Sequence, residues 1–226
     1  MYWNGIPTVI FGSGGISKEV FHLIEEINSQ CKMNVFDFLG FVDNDKRQIG
    51  KEIIDRYKIV TNDEEFEEFT KEYPILGVVI PIGNPKVKKN IYHKIKDIKN
   101  IIFPNIIHPN VVLNRNTIFL GQGNVITSGV KLTCNIELGN FNLLNLNCTV
   151  GHDVKIGNFN IINPGSNISG NVTITDQCLI GTGAQILQGI TIKNNTTIGA
   201  GAVVIKDVKE KDVVVGVPAK SIIKRY

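Results

Sequence analysis

The residues best suited to chemistry in this sequence are the adjacent pair His152-Asp153. A neutral imidazole near pH 7 can take a proton from a reacting group, and a neighbouring carboxylate can orient the ring and fix its tautomer. The pair is therefore typical of a general base with an assisting acid. An exposed histidine without a function is the alternative interpretation of the same residue.

The other three histidines and one nearby cysteine favour structural roles. His22 and His93 fall in helical patterns and are expected on the surface. His108 precedes a proline and is expected at a junction between two parts of the chain. Cys148 lies close to His152 and is a possible nucleophile, but its spacing groups it with small inward-facing residues, so we expect it in the core.

The element that must position His152 is a six-residue repeat. Every sixth residue from Leu120 to Val204 is aliphatic, fifteen in succession. By chance this would occur on the order of once in a million sequences with the same hydrophobic content. The period predicts a coil with three flat sides, in which about 18 residues form one turn and Gly or Asn occupies the corners. Stacked coils joined by parallel hydrogen-bond ladders form a parallel β-helix, uninterrupted by any long loop.

The first third of the chain has a different pattern. Short apolar runs predict strands over Thr8–Phe11, Phe36–Val42 and Ile75–Ile82. Helices are predicted after the Gly12-Ser13-Gly14-Gly15 turn, over the acidic segment Asn62–Tyr73, and from Pro85, capped by Asn84, to about Lys99. Strands that alternate with helices predict a small parallel α/β sheet. We therefore expect an α/β domain over 1–105 and a β-helix domain over 106–226, with a basic C-terminal tail.

Composition and charge argue against several classes of partner. Of the 226 residues, 42% are hydrophobic and 20% charged, and 24 basic against 21 acidic side chains leave a net charge of +3. That charge is too small to favour nucleic acid or an anionic membrane. No apolar run approaches the ~18 residues that span a bilayer. The sequence begins without a secretory signal, and the four cysteines form no CxxC pattern, so we expect a cytoplasmic protein.

The repeat, the pair His152-Asp153 in a corner, and the closing run Gly216-Val217-Pro218-Ala219-Lys220 resemble the hexapeptide-repeat acyltransferases. That resemblance implies a left-handed parallel β-helix. The α/β leader, with its Gly12-Ser13-Gly14-Gly15 turn and Asp43-Asn44-Asp45, narrows it to the subgroup that acetylates sugars. This subgroup includes UDP-4-amino-sugar N-acetyltransferases of bacillosamine synthesis, perosamine N-acetyltransferases and sialic-acid O-acetyltransferases.

The resemblance implies a role for each matching position of the β-helix. His152 is the general base, Asp153 assists it, and the nucleophile attacks acetyl-CoA directly, with no metal. Acetyl-CoA is expected to bind along a seam of a homotrimer. The matching positions are Gly170, Thr182, Thr191 and Ala200, with Lys206 and Lys220 for its phosphates. The sequence departs from the pattern at Ile161, where relatives often have a second histidine.

The α/β leader is expected to bind the nucleotide-linked sugar. A glycine turn between a strand and a helix lets a phosphate approach backbone amides, and Ser17 in place of the third glycine speaks against NAD. The resemblance assigns the nucleotide contacts to Gly14, Gly15, Ile16, Asp43, Asn44 and Pro85. Relatives often have His at the position of Ile16 and a second acid at the position of Asn44.

The expected function is acetyl-CoA-dependent N-acetylation of a nucleotide-linked amino sugar by a homotrimer. Two alternatives stay open: a sialic-acid-type O-acetyltransferase, and a catalytically silent hexapeptide-repeat protein that serves binding or assembly. A zinc carbonic anhydrase of similar fold needs three histidine ligands, and residues 109–226 contain one. The leader is also too small for a sugar nucleotidyltransferase. Neither nucleic acid nor a membrane is an expected partner.

Overall fold

The computed structural model describes residues 4–222 and divides the chain into two compact units. The first, the N-terminal unit, contains the chain up to Gly83 together with Val87–Pro109. The second, the coil unit, contains Asn84–Lys86 and the chain from Asn110 onward. The domain boundary after residue 105 stays a prediction. Within residues 4–222 no helix has the length and apolarity that a membrane span requires.

The N-terminal unit is built on a six-stranded sheet with helices between its strands, as predicted. The strands are β1 (Ile6–Phe11), β2 (Phe36–Asp43), β3 (Glu52–Ile54), β4 (Tyr57–Asn62), β5 (Leu76–Val79) and β6 (Ile101–Ile102), in the order β3-β4-β2-β1-β5-β6. The helices are α1 (Gly15–Ser29), the 3-10 helix η1 (Lys46–Gln48), α2 (Phe66–Thr70) and α3 (Pro85–Ile95). Neighbouring strands are parallel except for β3 and β4. β7 (Ile106–Ile107) follows near the end of the unit.

The predicted helix over Asn62–Tyr73 is largely wrong. Tyr57–Asn62 is the strand β4, because its β-branched residues alternate toward the buried face, and only Phe66–Thr70 is helical. The Asn62 Oδ1 atom accepts the backbone N–H groups of Glu64 and Glu65 at 2.8 and 3.1 Å, which turns the chain after the strand.

Helix α3 begins as predicted but ends earlier. The Asn84 side chain caps it by accepting the Lys86 N–H at 3.0 Å. The last helical residue is Ile95, four residues before the predicted end at Lys99. There the Ile98 N–H bonds to the Ile95 carbonyl, which closes a tight turn in place of another helical turn.

The coil unit is a left-handed parallel β-helix whose short strands stack in three columns, as predicted. The first column contains β8 (Ile118–Leu120), β11 (Ile136–Leu138), β14 (Lys155–Ile156), β17 (Thr173–Ile174) and β20 (Thr191–Ile192). The second contains β10 (Lys131–Leu132), β13 (Thr149–Val150), β16 (Asn167–Ile168), β19 (Gln185–Ile186) and β22 (Val203–Val204). The third contains β9 (Val125–Ile126), β12 (Leu143–Leu144), β15 (Ile161–Ile162), β18 (Leu179–Ile180), β21 (Thr197–Ile198), β23 (Val213–Val215) and β24 (Lys220–Ser221). Parallel partners such as Lys131 and Thr149 lie one turn, or 18 residues, apart.

The interior of the coil contains the predicted aliphatic residues and a polar ladder. All of the fifteen repeat positions are buried except Leu120 and Leu132, which are half-buried. Cys148 is fully buried, as predicted, and burial raises the pKa of its thiol to about 12. Asn124, Asn142 and Asn160 are also buried. The Oδ1 atom of each accepts a backbone N–H one turn later, so the polar side chains stabilise the stacking of the coils.

The corners of the coil adopt left-handed backbone conformations at every sixth residue. The positions are Gly123, Gly129, Asn135, Phe141, Asn147, Asp153, Phe159, Gly165, Asn171, Gln177, Gly183, Gly189, Asn195 and Gly201. Gly and Asn tolerate this conformation, as predicted, whereas Phe141, Phe159 and Gln177 are departures. The glycines that directly follow the inward aliphatic residues have a different cause. A Cβ atom at Gly139, for example, would lie 2.6 Å from the Gly157 carbonyl oxygen in the next turn.

Candidate active site

His152 lies on a corner of the coil that is fastened to the turns on both sides. Asp153 has the left-handed conformation (φ 59°), and its N–H bonds to the Cys134 carbonyl of the preceding turn at 3.1 Å. The His152 carbonyl accepts the Asn171 N–H of the following turn at 2.8 Å. Because three consecutive turns hold this corner, the backbone beneath the imidazole is rigid.

The His152 ring is oriented by a short chain of hydrogen bonds. Its Nδ1 atom lies 2.7 Å from Asp153 Oδ2, and Asn135 Nδ2 donates to Asp153 Oδ1 at 3.0 Å. These two contacts hold the pKa of the Asp153 carboxyl below its usual range, so the group is ionised at neutral pH and only accepts. The proton of the neutral imidazole therefore lies on Nδ1, and Nε2 carries a free lone pair. The imidazole is 54% exposed, so a substrate can reach it.

Asn135 was not predicted as a site residue. It occupies the corner 18 residues before Asp153, and both residues share the left-handed conformation. The signal was present in the repeat, since a period of 18 places residue i beside residue i+18 in the same column. Applied to Asp153, that rule identifies Asn135 as its neighbour.

Gly170 lies directly against the reactive side of the imidazole. A Cβ atom at this position would be 2.5 Å from His152 Nε2 and 2.6 Å from Cε1. Gly170 is buried, and no acceptor within residues 4–222 takes its N–H. The same corner therefore offers a proton acceptor and an unused backbone donor, which is the equipment needed for acyl transfer through an oxyanion.

Thr182 and Ala200 stack in the corner between β18 and β19 and between β21 and β22, which is not the corner of His152. Their N–H groups also lack an acceptor in the described part of the chain. Thr191 lies in β20, and its N–H donates to Asp207 Oδ1 at 2.8 Å, so this amide is already occupied. Ile161 is buried in β15.

Lys206 and Lys220 meet at a cavity of about 540 Å³ near the end of the coil. Lys209 lines the same cavity, and none of the three lysines forms an ion pair with any residue from 4 to 222. Unpaired ammonium groups around one cavity suit a phosphate-bearing ligand. Lys209 was missed because the basic tail was treated as a whole, without a fold to select among its lysines.

The N-terminal unit has its own cavity, of about 400 Å³, at the carboxyl ends of β1, β2 and β4. Asp43 and Asn44 line it, as the sequence predicted for the nucleotide site. Asp43 Oδ2 accepts the Ser13 hydroxyl at 2.5 Å, which fixes the carboxylate at the mouth of the glycine turn. Ligands of open α/β sheets bind at this edge.

The glycine turn is required at Gly12 and optional at Gly14. Gly12 lines the cavity with a φ of 91°, and a Cβ atom there would lie 2.8 Å from the Ile82 side chain. Gly14 precedes α1 with an ordinary φ of −79°, and a Cβ atom there would meet nothing within 4 Å.

The remaining nucleotide contacts predicted in this region surround the turn and do not line the cavity. Gly15 and Ile16 begin α1, so their N–H groups have no helical acceptor and point out of the helix end. Pro85 begins α3, and the cavity is lined by later residues of that helix.

No cluster of three or more histidine, cysteine or acidic side chains that could hold a metal ion occurs within the described residues.

Residues 8–95 match the family model of the PglD N-terminal domain. No curated protein matches the sequence. Among solved structures, PerB from Caulobacter crescentus, in complex with CoA and GDP-perosamine, has a TM-score of 0.85 and 25% identity over 95% of this chain and 96% of its own. The acetyltransferase domain of PglB from Neisseria gonorrhoeae, in complex with acetyl coenzyme A, has a TM-score of 0.82 and 25% identity over 96% and 100%. WeeI from Acinetobacter baumannii has a TM-score of 0.81 and 27% identity over 96% and 100%.

Proposed function

We propose that this chain, whose residues 8–95 match the PglD N-terminal domain family and whose fold is that of the hexapeptide-repeat sugar acetyltransferases, transfers the acetyl group of acetyl-CoA to a nucleotide-linked amino sugar. The observation that carries the proposal is the corner at His152. Its oriented imidazole and the unused Gly170 N–H are the two groups that this reaction needs. PerB and the PglB domain, which have the same fold, bind CoA or acetyl-CoA.

The reaction is a direct transfer in this proposal. The sugar nitrogen forms a bond to the thioester carbonyl carbon while its proton passes to His152 Nε2. Asp153 stabilises the imidazolium that results, since its carboxylate accepts from Nδ1. The Gly170 N–H stabilises the charge that develops on the carbonyl oxygen. The C–S bond then breaks, and CoA leaves as the thiol after taking up the proton.

The acyl donor is proposed to bind along the coil, with its phosphates near the cavity of Lys206, Lys209 and Lys220. Thr182 and Ala200 offer unused N–H groups for the pantetheine arm, but they lie in another corner of the same chain. A neighbouring copy supplies that corner in our proposal, which is why we propose a homotrimer with cyclic symmetry.

The trimer has a direct test. We expect sedimentation equilibrium to give three times the mass of the chain and activity to fall when dilution dissociates the assembly. A monomer with full turnover would show that one chain builds the whole donor site.

The acceptor proposal is tested with matched pairs of substrates. We expect CoA thiol release in the presence of a 4-amino nucleotide sugar and none with the corresponding 4-hydroxy compound. UDP-, GDP-, dTDP- and CMP-linked sugars form the panel. If the hydroxyl compounds or free sialic acid react instead, the protein is an O-acetyltransferase, and if no acceptor releases thiol the proposal of an acetyltransferase fails.

Replacing Asp153 with asparagine should lower kcat on the order of 10-fold, the loss of one charge-assisted hydrogen bond. The amide keeps the size of the side chain but no longer fixes the Nδ1–H tautomer of His152. Replacing Asn135 with leucine should act in the same direction and more weakly, because Asn135 contacts only Asp153 in this chain of bonds. Steady-state kinetics should show both effects in kcat with KM for the two substrates unchanged. A change in KM alone would contradict a positioning role.

Replacing Gly14 with valine should raise KM for the nucleotide sugar on the order of 10-fold, the equivalent of one lost hydrogen bond to a charged group. The protein itself tolerates the side chain, since nothing lies within 4 Å of its Cβ position. Only a ligand that approaches the turn meets the new methyl groups. KM for acetyl-CoA should not change, and an equal rise in both KM values would argue against a nucleotide site at this turn.

A further inference from the structure

One ion pair in the cavity of the N-terminal unit has no role in the function described so far. Asp63 Oδ2 and Lys94 Nζ lie 3.5 Å apart, and both residues line the cavity. The Asp63 side chain is 19% exposed, less than any other acid that forms an ion pair in the described residues. An acid and a base turned toward the same space can read the edge of a polar ligand.

The position of Asp63 along the sheet edge indicates which part of a nucleotide it meets. The glycine turn follows β1, Asp43 follows the next strand β2, and Asp63 follows β4, the strand beyond it. In α/β nucleotide sites the phosphates lie at the first turn and the ribose at an acid after the next strand. One strand further out, the base itself is the group that remains. Val42 and Ile91 give this part of the cavity apolar walls that suit the faces of a base.

The chemistry of the pair selects among the bases. A carboxylate only accepts hydrogen bonds, and an ammonium group only donates them. Guanine alone presents two adjacent donors, N1–H and the N2 amino group, next to an acceptor, O6. Uracil and thymine present a single N–H between two carbonyls, and cytosine and adenine present one amino group beside a ring nitrogen. Guanine therefore gives Asp63 two hydrogen bonds while Lys94 meets O6.

We propose that Asp63 and Lys94 recognise guanine, so that the acceptor of this enzyme is a GDP-linked sugar. The proposal rests on the proposed function, because it assumes that the cavity holds the nucleotide part of the acceptor.

The experiment is a calorimetric titration of the full-length protein with GDP, UDP, dTDP, CDP and ADP. GDP should bind roughly 5- to 150-fold more tightly than each of the others, the discrimination given by one bidentate base contact. Replacing Asp63 with asparagine should remove most of that preference, because the new amide N–H₂ faces the guanine amino group. The same variant should gain affinity for xanthosine diphosphate, in which a carbonyl replaces that amino group.

The matched control is Glu64→Gln, which removes the same charge at an exposed neighbouring residue that does not line the cavity. It should leave the affinity for GDP unchanged. Xanthosine diphosphate binding also shows that the Asp63→Asn variant is folded. If UDP or another diphosphate binds as tightly as GDP, or if Asp63→Asn keeps its preference for GDP, the guanine assignment is wrong while the proposed function stands. If none of the five binds, both are wrong.

Discussion

Replacing His152 with alanine is expected to lower kcat by roughly 10²- to 10⁴-fold, the usual contribution of a positioned general base. The nucleophile would then have to lose its proton to water while it attacks the thioester. The imidazole is half exposed and forms no part of the coil interior, so its removal should not unfold the protein. CoA thiol release under saturating substrates measures the effect, and sedimentation checks that the assembly is unchanged.

The matched control is His22→Ala, which removes an exposed histidine from α1 in the other unit. It should leave kcat unchanged. Turnover of the His152 variant at the rate of the wild type would remove His152 from the mechanism, and with it the assignment of this corner as the reacting centre.

Replacing Gly170 with alanine is expected to lower kcat on the order of 100-fold, the cost of about a 1 Å displacement of a catalytic group. The added Cβ atom would lie 2.5 Å from His152 Nε2, so one of the two must move. The group that yields is the half-exposed imidazole, because the Gly170 backbone is fastened into the coil. Thermal unfolding should therefore change little while turnover falls.

A double variant separates displacement of the ring from loss of the Gly170 N–H. In the His152→Ala background the Gly170→Ala change should have little further effect on kcat, because no imidazole remains to be displaced. If the two losses multiply instead, Gly170 acts independently of His152 and the contact between them is not the reason for the glycine.

The fold of the coil was accessible from the sequence because one rule repeats. Fifteen aliphatic residues at a fixed spacing determine the turn length, the interior and the corner in which His152 lies. Asn135 and Gly170 follow from the same rule once the turn is 18 residues. Applied to His152 in both directions along the chain, that spacing identifies the neighbours of the imidazole in the turns above and below it.

The N-terminal unit was harder to predict because its elements are short and occur once. The acidic composition of Asn62–Tyr73 indicated a helix, but burial of alternate β-branched residues made its start part of β4. Asp63 became a candidate for ligand binding only when that strand was recognised, since its place at the sheet edge depends on where β4 ends. Among the turn glycines, the sequence could not distinguish Gly12, which the backbone requires, from Gly14, which it does not.

The most direct test of the account is the identity of the product. Wild-type protein is incubated with isotopically labelled acetyl-CoA and the amino nucleotide sugar that releases the most thiol, and the product is analysed by mass spectrometry before and after mild alkali. We expect one labelled acetyl group on the sugar, stable to alkali as an amide is. An alkali-labile acetyl group, or release of CoA without any acetylated sugar, would contradict the proposed N-acetyl transfer.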